Sequence, residues 1–241
     1  MKKKLIYSFI LIISTHTFAQ KLEETNTIEV NYNVLSRKSD FPKPFSYNFE
    51  TALVVNDSIA QYVFKRKKKI VRHRNFQVEI GELTYVNNYN FRNGAMEEQR
   101  ILGKDKIRAT WTPKYDWKIT SDTKVYKGYT LRKATTKSIE IDPEEDGYYG
   151  TVTAWFCEDI PLPVGPDRYC GLPGLIMEIE YENTPRKVSL KSINYESQEI
   201  GFKNISNGIM LDDKRDVIYY RHYNPNDVNT KLRQFKRNLN N

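Results

Sequence analysis

Histidine is nearly missing from this chain of 241 residues, with three in all, and His16 stands within the first twenty positions. The other two, His73 and His222, fall in no metal-ligand spacing, and His73 sits among cations, the wrong surroundings for a divalent ion. Cysteine is as scarce: the chain has two, Cys157 and Cys170, without the Cys-x-x-Cys spacing that tunes a thiol for redox work. The Gly-x-Ser-x-Gly elbow, the His-Glu-x-x-His pair and the P-loop are all missing. These absences point away from a metal site, a cofactor and the common nucleophilic hydrolases. No Gly/Ser linker, internal repeat or low-complexity tract divides the chain.

Long apolar runs are limited to one. Leu5 to Ser14 follows Lys2-Lys3-Lys4, and Thr17-Phe18-Ala19 then puts small residues where a signal peptidase reads. Residues 1–19 therefore read as a secretory signal, with export to the periplasm, or outside the cell, as the consequence. The run is too short to span a bilayer and no second one is long enough, so no transmembrane span is expected in the mature chain. Residues 20–241 are expected to form a single β domain. In an exported chain two cysteines read as one disulfide, here Cys157 to Cys170, which would stabilise the fold by roughly 3 kcal/mol in the chain-entropy model.

What the chain has in plenty is tyrosine and charge. Seventeen tyrosines and a 13% aromatic share suit strands, where large side chains pack on a pleated face. Alternation is plain at Ile28, Val30, Tyr32 and Val34, again at Tyr47 to Leu53, and at Val188, Leu190 and Ile193. Phe76 to Ile80 and Leu83 to Tyr89 read as a hairpin around Gly81, and Val125 to Thr136 as one continuous strand. Val228, Leu232, Phe235 and Leu239 recur at spacings of three and four, which predicts an amphipathic helix from Pro225 to Asn241. The expected fold is mainly β: a curved antiparallel sheet or partly open barrel with a C-terminal helix.

The most informative stretch runs from Ala154 to Tyr181. Prolines at 161, 163, 166 and 173 fix φ and remove amide donors, so this connector is neither helix nor central strand. Pro173-Gly174 is a turn signal. Beyond it Leu175, Met177, Ile179 and Tyr181 alternate with Ile176, Glu178 and Glu180, the pattern of a half-buried strand.

Gly171-Leu172-Pro173-Gly174-Leu175-Ile176 spells the hexapeptide of the GLPGLI family, which this chain resembles. Ala154-Trp155-Phe156, Ile160-Pro161, Gly165-Pro166, Trp117-Lys118-Ile119, Gly128-Tyr129 and Lys133-Ala134 carry the likeness over roughly residues 110 to 181. The chain departs from the family's pattern at Leu131, where a cysteine is frequent, and at Cys157, where a threonine is. The resemblance implies a protein of the Bacteroidota envelope and a β fold; it implies no reaction.

Three features are candidates for function. Lys65, Arg66, Lys67, Lys68, Lys69, Arg72 and Arg74 form a cationic run that would meet an anionic partner, such as lipopolysaccharide or an acidic protein, if it is more than a solvated hairpin tip. Nucleic acid is an improbable target outside the cytoplasm. The acids Glu144-Glu145-Asp146, Glu158-Asp159 and Asp212-Asp213 are the candidate acid–base pairs. Of these, Glu158-Asp159 precedes the rigid connector, although adjacent acids in a strand face opposite ways. The GLPGLI turn either plugs the sheet or offers an apolar edge to a peptide or envelope protein. Together these features predict a non-enzymatic envelope protein that holds a hydrophobic or peptide ligand in the sheet's concavity or docks to an outer-membrane partner. The alternative is a carboxylate-dependent hydrolase of envelope peptides or glycans.

Overall fold

The structure is a computed structural model that describes residues 27–38, 45–66, 69–73, 76–80, 83–102, 105–138, 150–195, 202–203 and 209–210. The signal sequence and the C-terminal helix expected above lie outside these residues. The strands are β1 (Ile28–Lys38), β2 (Phe45–Val55), β3 (Ile59–Arg66), β4 (Lys69–His73), β5 (Phe76–Ile80), β6 (Leu83–Asn90) and β7 (Met96–Leu102). They continue with β8 (Asp105–Trp111), β9 (Lys118–Tyr126), β10 (Tyr129–Lys137), β11 (Thr151–Cys157), β12 (Leu175–Tyr181), β13 (Arg186–Asn194) and β14 (Ile209–Met210).

Twelve of them form one open sheet in the order β14-β8-β7-β6-β3-β2-β1-β13-β12-β11-β10-β9. Every pairing within it is antiparallel except the short parallel contact of β14 with β8. The alternation read from the sequence decides the faces. Val30, Tyr32 and Val34 of β1, Leu53 and Val55 of β2, and Tyr62 and Phe64 of β3 are all buried in one cluster with Ala154, Phe156, Ile179 and Val188 of the other half. A flat sheet could not bring these together. Bulges at Asn31/Tyr32, Arg132/Ala134 and Trp155/Phe156 each add local twist and bend the strand they sit in.

Two local readings are corrected. Phe76–Ile80 does not pair with Leu83–Asn90: β5 pairs with β4, and β6 pairs with β3. β4 and β5 form a two-stranded sheet of their own, with Lys69 facing Ile80, while β3 and β6 pair within the large sheet, with Ile59 facing Asn90. Nor is 125–136 one strand. Lys127 and Gly128 both have positive φ, 53° and 84°, the geometry of a two-residue hairpin turn between β9 and β10. Alternation carries straight through such a turn, so the sequence pattern concealed it.

Past its bulge, the β9–β10 hairpin bends toward β13. The Tyr126 hydroxyl donates to Leu190 O at 3.1 Å and Lys127 Nζ to Lys191 O at 2.9 Å. Lys124 pairs with Glu178 and lies 4.2 Å from the Trp155 ring centroid, and Lys187 Nζ is 3.2 Å from Glu178 Oε1. This explains why β12 is buried on both faces rather than half-buried: Glu178 is only 2% exposed, and its charge is met by two lysines instead of water.

Candidate functional site

Between β11 and β12, residues 158–174 do not bulge outward. They fold back into the concavity, where Ile160, Val164, Tyr169, Cys170 and Leu172 join the main core. A bridge pairs Val164 with Cys170, and Ile176 N donates to Val164 O at 2.9 Å. Close approach explains two glycines. A Cβ on Gly174 would lie 2.1 Å from Cys157 O, and one on Gly165 would lie 2.4 Å from Ile176 Cβ. Gly171, with φ at +87°, serves the turn itself. In the GLPGLI turn Leu172, Leu175 and Ile176 are buried while Gly171 and Pro173 are exposed, so its apolar side chains face the core. The Tyr32 hydroxyl ties the arrangement down by donating to Ile176 O at 2.8 Å, and its burial raises its pKa.

The expected disulfide is not formed. Cys157 and Cys170 are both buried free thiols. The residue brought opposite Cys157 is Leu175, because β11 and β12 pair there, whereas Cys170 is carried into the concavity opposite Val164 and bonded to the Tyr89 hydroxyl. The ends of the connector meet at Cys157 and Leu175, and Cys170 is at neither end. Burial pushes the Cys170 thiol up to about 12, the Tyr89 hydrogen bond opposing this, and it raises Cys157 as well. Both are poor nucleophiles near neutral pH.

The connector also carries charge inward. Asp167 has φ at 62°, a left-handed conformation that Asp tolerates better than most residues. Its carboxylate accepts from Asn87 Nδ2 of β6 at 3.3 Å and lies 4.0 Å from Arg186 Nη2 at the start of β13. Arg168 is 9% exposed, and Tyr115 donates to its carbonyl at 3.3 Å. Arg100 of β7 pairs with the buried Glu98 and lies over the Tyr85 ring at 5.1 Å. Tyrosines wall this polar end: Tyr115 and Tyr169 have ring centroids 5.4 Å apart, and Tyr169 and Tyr181 are 6.1 Å apart. Burial raises the pKa of Tyr62, Tyr85, Tyr115 and Tyr169, and lifts Tyr181 to about 12. Burial alone would lower both Arg168 and Arg186, but nearby groups that include Asp167 outweigh it and keep both charged.

A small hollow of about 10 Å³ remains between Tyr62, Asn87, Asp167 and Tyr169, room for one water. Among the described residues, no group of three or more His, Cys, Asp or Glu side chains could hold a metal ion.

The residues picked out from sequence are scattered. Lys65 and Arg66 end β3, Lys69 and Arg72 belong to β4, and Lys67, Lys68 and Arg74 lie outside the described residues. Glu158 and Asp159 are exposed in the turn after β11, with Glu158 Oε1 3.2 Å from Arg132 Nη1. The acids at 144–146 and 212–213 lie outside the described residues, as does His222. The polar end was missed. Its one local signal was Asp167-Arg168, two adjacent charges inside a proline-stiffened, mostly apolar connector; Arg100, Arg186 and Asn87 carry no such mark.

Residues 143–178, which include β11, the connector and most of β12, match a family model described as "Protein of unknown function (Porph_ging)". No curated protein sequence matches the chain. Among solved structures, PNGF-II in its P21 and C2 space groups superposes with TM-scores of 0.55 and 0.52 at 17% and 16% identity. Both likenesses cover 80% of this chain but only 33% and 32% of that one, so this chain spans about a third of the length of PNGF-II. At that identity the likeness concerns the fold alone. A DUF1329 family protein from Desulfovibrio piger ATCC 29098 aligns over 80% of this chain and 95% of that one, at 8% identity and a TM-score of 0.25 that carries no argument.

Proposed function

We propose that the chain is exported and works in the cell envelope as a non-enzymatic binding or accessory module, as its likeness to the GLPGLI family implies. The observation that carries this reading is the filled concavity. Among the described residues the protein's own connector packs into the concavity, and the hollow beside Tyr62, Asn87, Asp167 and Tyr169 is about 10 Å³. Binding is therefore left to the polar end of the concavity, the rim and the outer surface. The recurrence of the fold as a third of a longer chain agrees with a module that acts by attachment. The basic ribbon of β3 and β4 is the candidate docking element for an anionic outer-membrane partner or peptide.

The hydrolase alternative fares less well, because Glu158 and Asp159 stand in solvent and one of them is paired with Arg132. Native mass spectrometry of material isolated from the envelope tests the proposal. The expected result is a complex with an envelope protein or peptide, without bound lipid, that weakens when Lys67, Lys68 and Lys69 are reversed to Glu. Turnover of a peptide or glycan panel that disappears in Glu158→Gln or Asp159→Asn would overturn it.

A further inference from the structure

Buried polar atoms in folded proteins are almost always paired, so the exceptions mark strain or a missing partner. At the polar end, Arg168 Nε and Nη1 and Arg186 Nε are buried donors without a protein partner, and Asn87 Oδ1 is a buried acceptor without one. They belong to one neighbourhood, since both Asn87 and Arg186 reach the Asp167 carboxylate. The surroundings suit a ligand of one kind. Among the described residues, Arg100, Arg168 and Arg186 carry three positive charges here against two negative ones on Glu98 and Asp167, an excess that an added negative charge would offset. Arginine donors favour a flat oxyanion. The unpaired Asn87 oxygen asks for an N–H beside it. Access comes from the rim, where the Arg186 side chain is 24% exposed.

We propose that this end of the concavity binds a carboxylate carrying an adjacent amide N–H, as at the C-terminus of a peptide, with Arg168 and Arg186 on the carboxylate and Asn87 on the N–H. The inference rests on the reading of the chain as a binding module and names the chemical group that it takes.

Calorimetric titration at low salt with N-acetylglycine, acetate, N-acetylglycinamide and inorganic phosphate tests it. N-acetylglycine is expected to bind with Kd on the order of 1 mM, acetate more weakly, and the amide not at all. Arg168→Lys keeps the charge but loses the fork of donors and should weaken binding about tenfold. Asp167→Asn tolerates the same backbone angle and removes the competing charge, so it should tighten binding about tenfold. The variant Lys133→Gln, at a half-buried lysine that pairs with Asp122, should change nothing. No saturable binding to the folded wild type, equal binding of the amide, or phosphate binding more tightly than the carboxylates would each overturn the assignment. Should Arg168→Lys fail to fold, the wild-type series and Asp167→Asn still decide. Loss of this site would leave attachment to an envelope partner standing, whereas turnover in the hydrolase assay would remove the module reading whatever the arginines bind.

Discussion

At one end of the concavity the connector lays Ile160 and Leu172 against Phe156, Leu175 and Ile176; at the other it delivers Asp167 and Arg168 among Asn87, Arg186 and a wall of tyrosines. The first end is close-packed and apolar, and glycine is obligatory at 174 because backbone already occupies the space of a side chain. Each of its buried aliphatic or aromatic side chains contributes roughly 1.5–3 kcal/mol. The second end is assembled from charges that offset one another incompletely and leave buried nitrogens unmatched. Close packing there would have excluded any ligand. The contrast separates the part of the connector that holds the fold from the part that gathers charge.

That contrast can be broken from either side. Alkali should give the largest effect, chiefly through the tyrosine wall of the polar end, where buried phenols are most numerous. A buried phenol stays protonated while the unfolded chain ionises near the ordinary phenol value of 10.0, so stability is intact below that pH and falls as pH rises toward the folded value, about 12 for Tyr181. Each such tyrosine costs about 1.4 kcal/mol per pH unit, so unfolding followed by circular dichroism should be steep and coincide with tyrosine ionisation. Tyrosines that titrate reversibly near 10 in a still-folded protein would show the wall to be open to water.

Gly174→Ala is next. Its methyl would strike the Cys157 carbonyl, and the loss, measured by urea unfolding, should be roughly 4 kcal/mol. Asp167→Asn should cost less, about 2 kcal/mol in the same measurement, because the turn survives and only the ion pairing is lost. If Asp167→Asn proved more damaging than Gly174→Ala, the polar end and not the apolar one would be holding the fold. Arg132→Gln, at the exposed pair with Glu158, should change stability by less than about 0.5 kcal/mol.

Much of the architecture was legible from local pattern. The alternation in β1, β2 and β13 assigned inner and outer faces correctly, and the prolines marked the connector. Pattern failed where a contact overrode it. Nothing in the alternation of Val125 to Thr136 reveals two left-handed residues at 127 and 128, and nothing in Leu175 to Tyr181 says that a hairpin will cover the outer face of β12. Sequence spacing invited a sulfur–sulfur link; the inward fold of the connector placed Cys170 beside Tyr89 instead, and the link is not formed.

By itself the sequence determined that this chain folds as antiparallel strands, since a period of two with aromatic and β-branched residues can bury only one face of a pleated ribbon. It also determined that a stiff, non-repetitive connector interrupts them, because proline denies the backbone both helix and ladder. Only the tertiary structure decided where that connector goes, and so which charges meet at its far end. Arg100, Asn87, Asp167 and Arg186 are far apart along the chain, and their encounter depends on bulges that curl the sheet until its two halves share one interior.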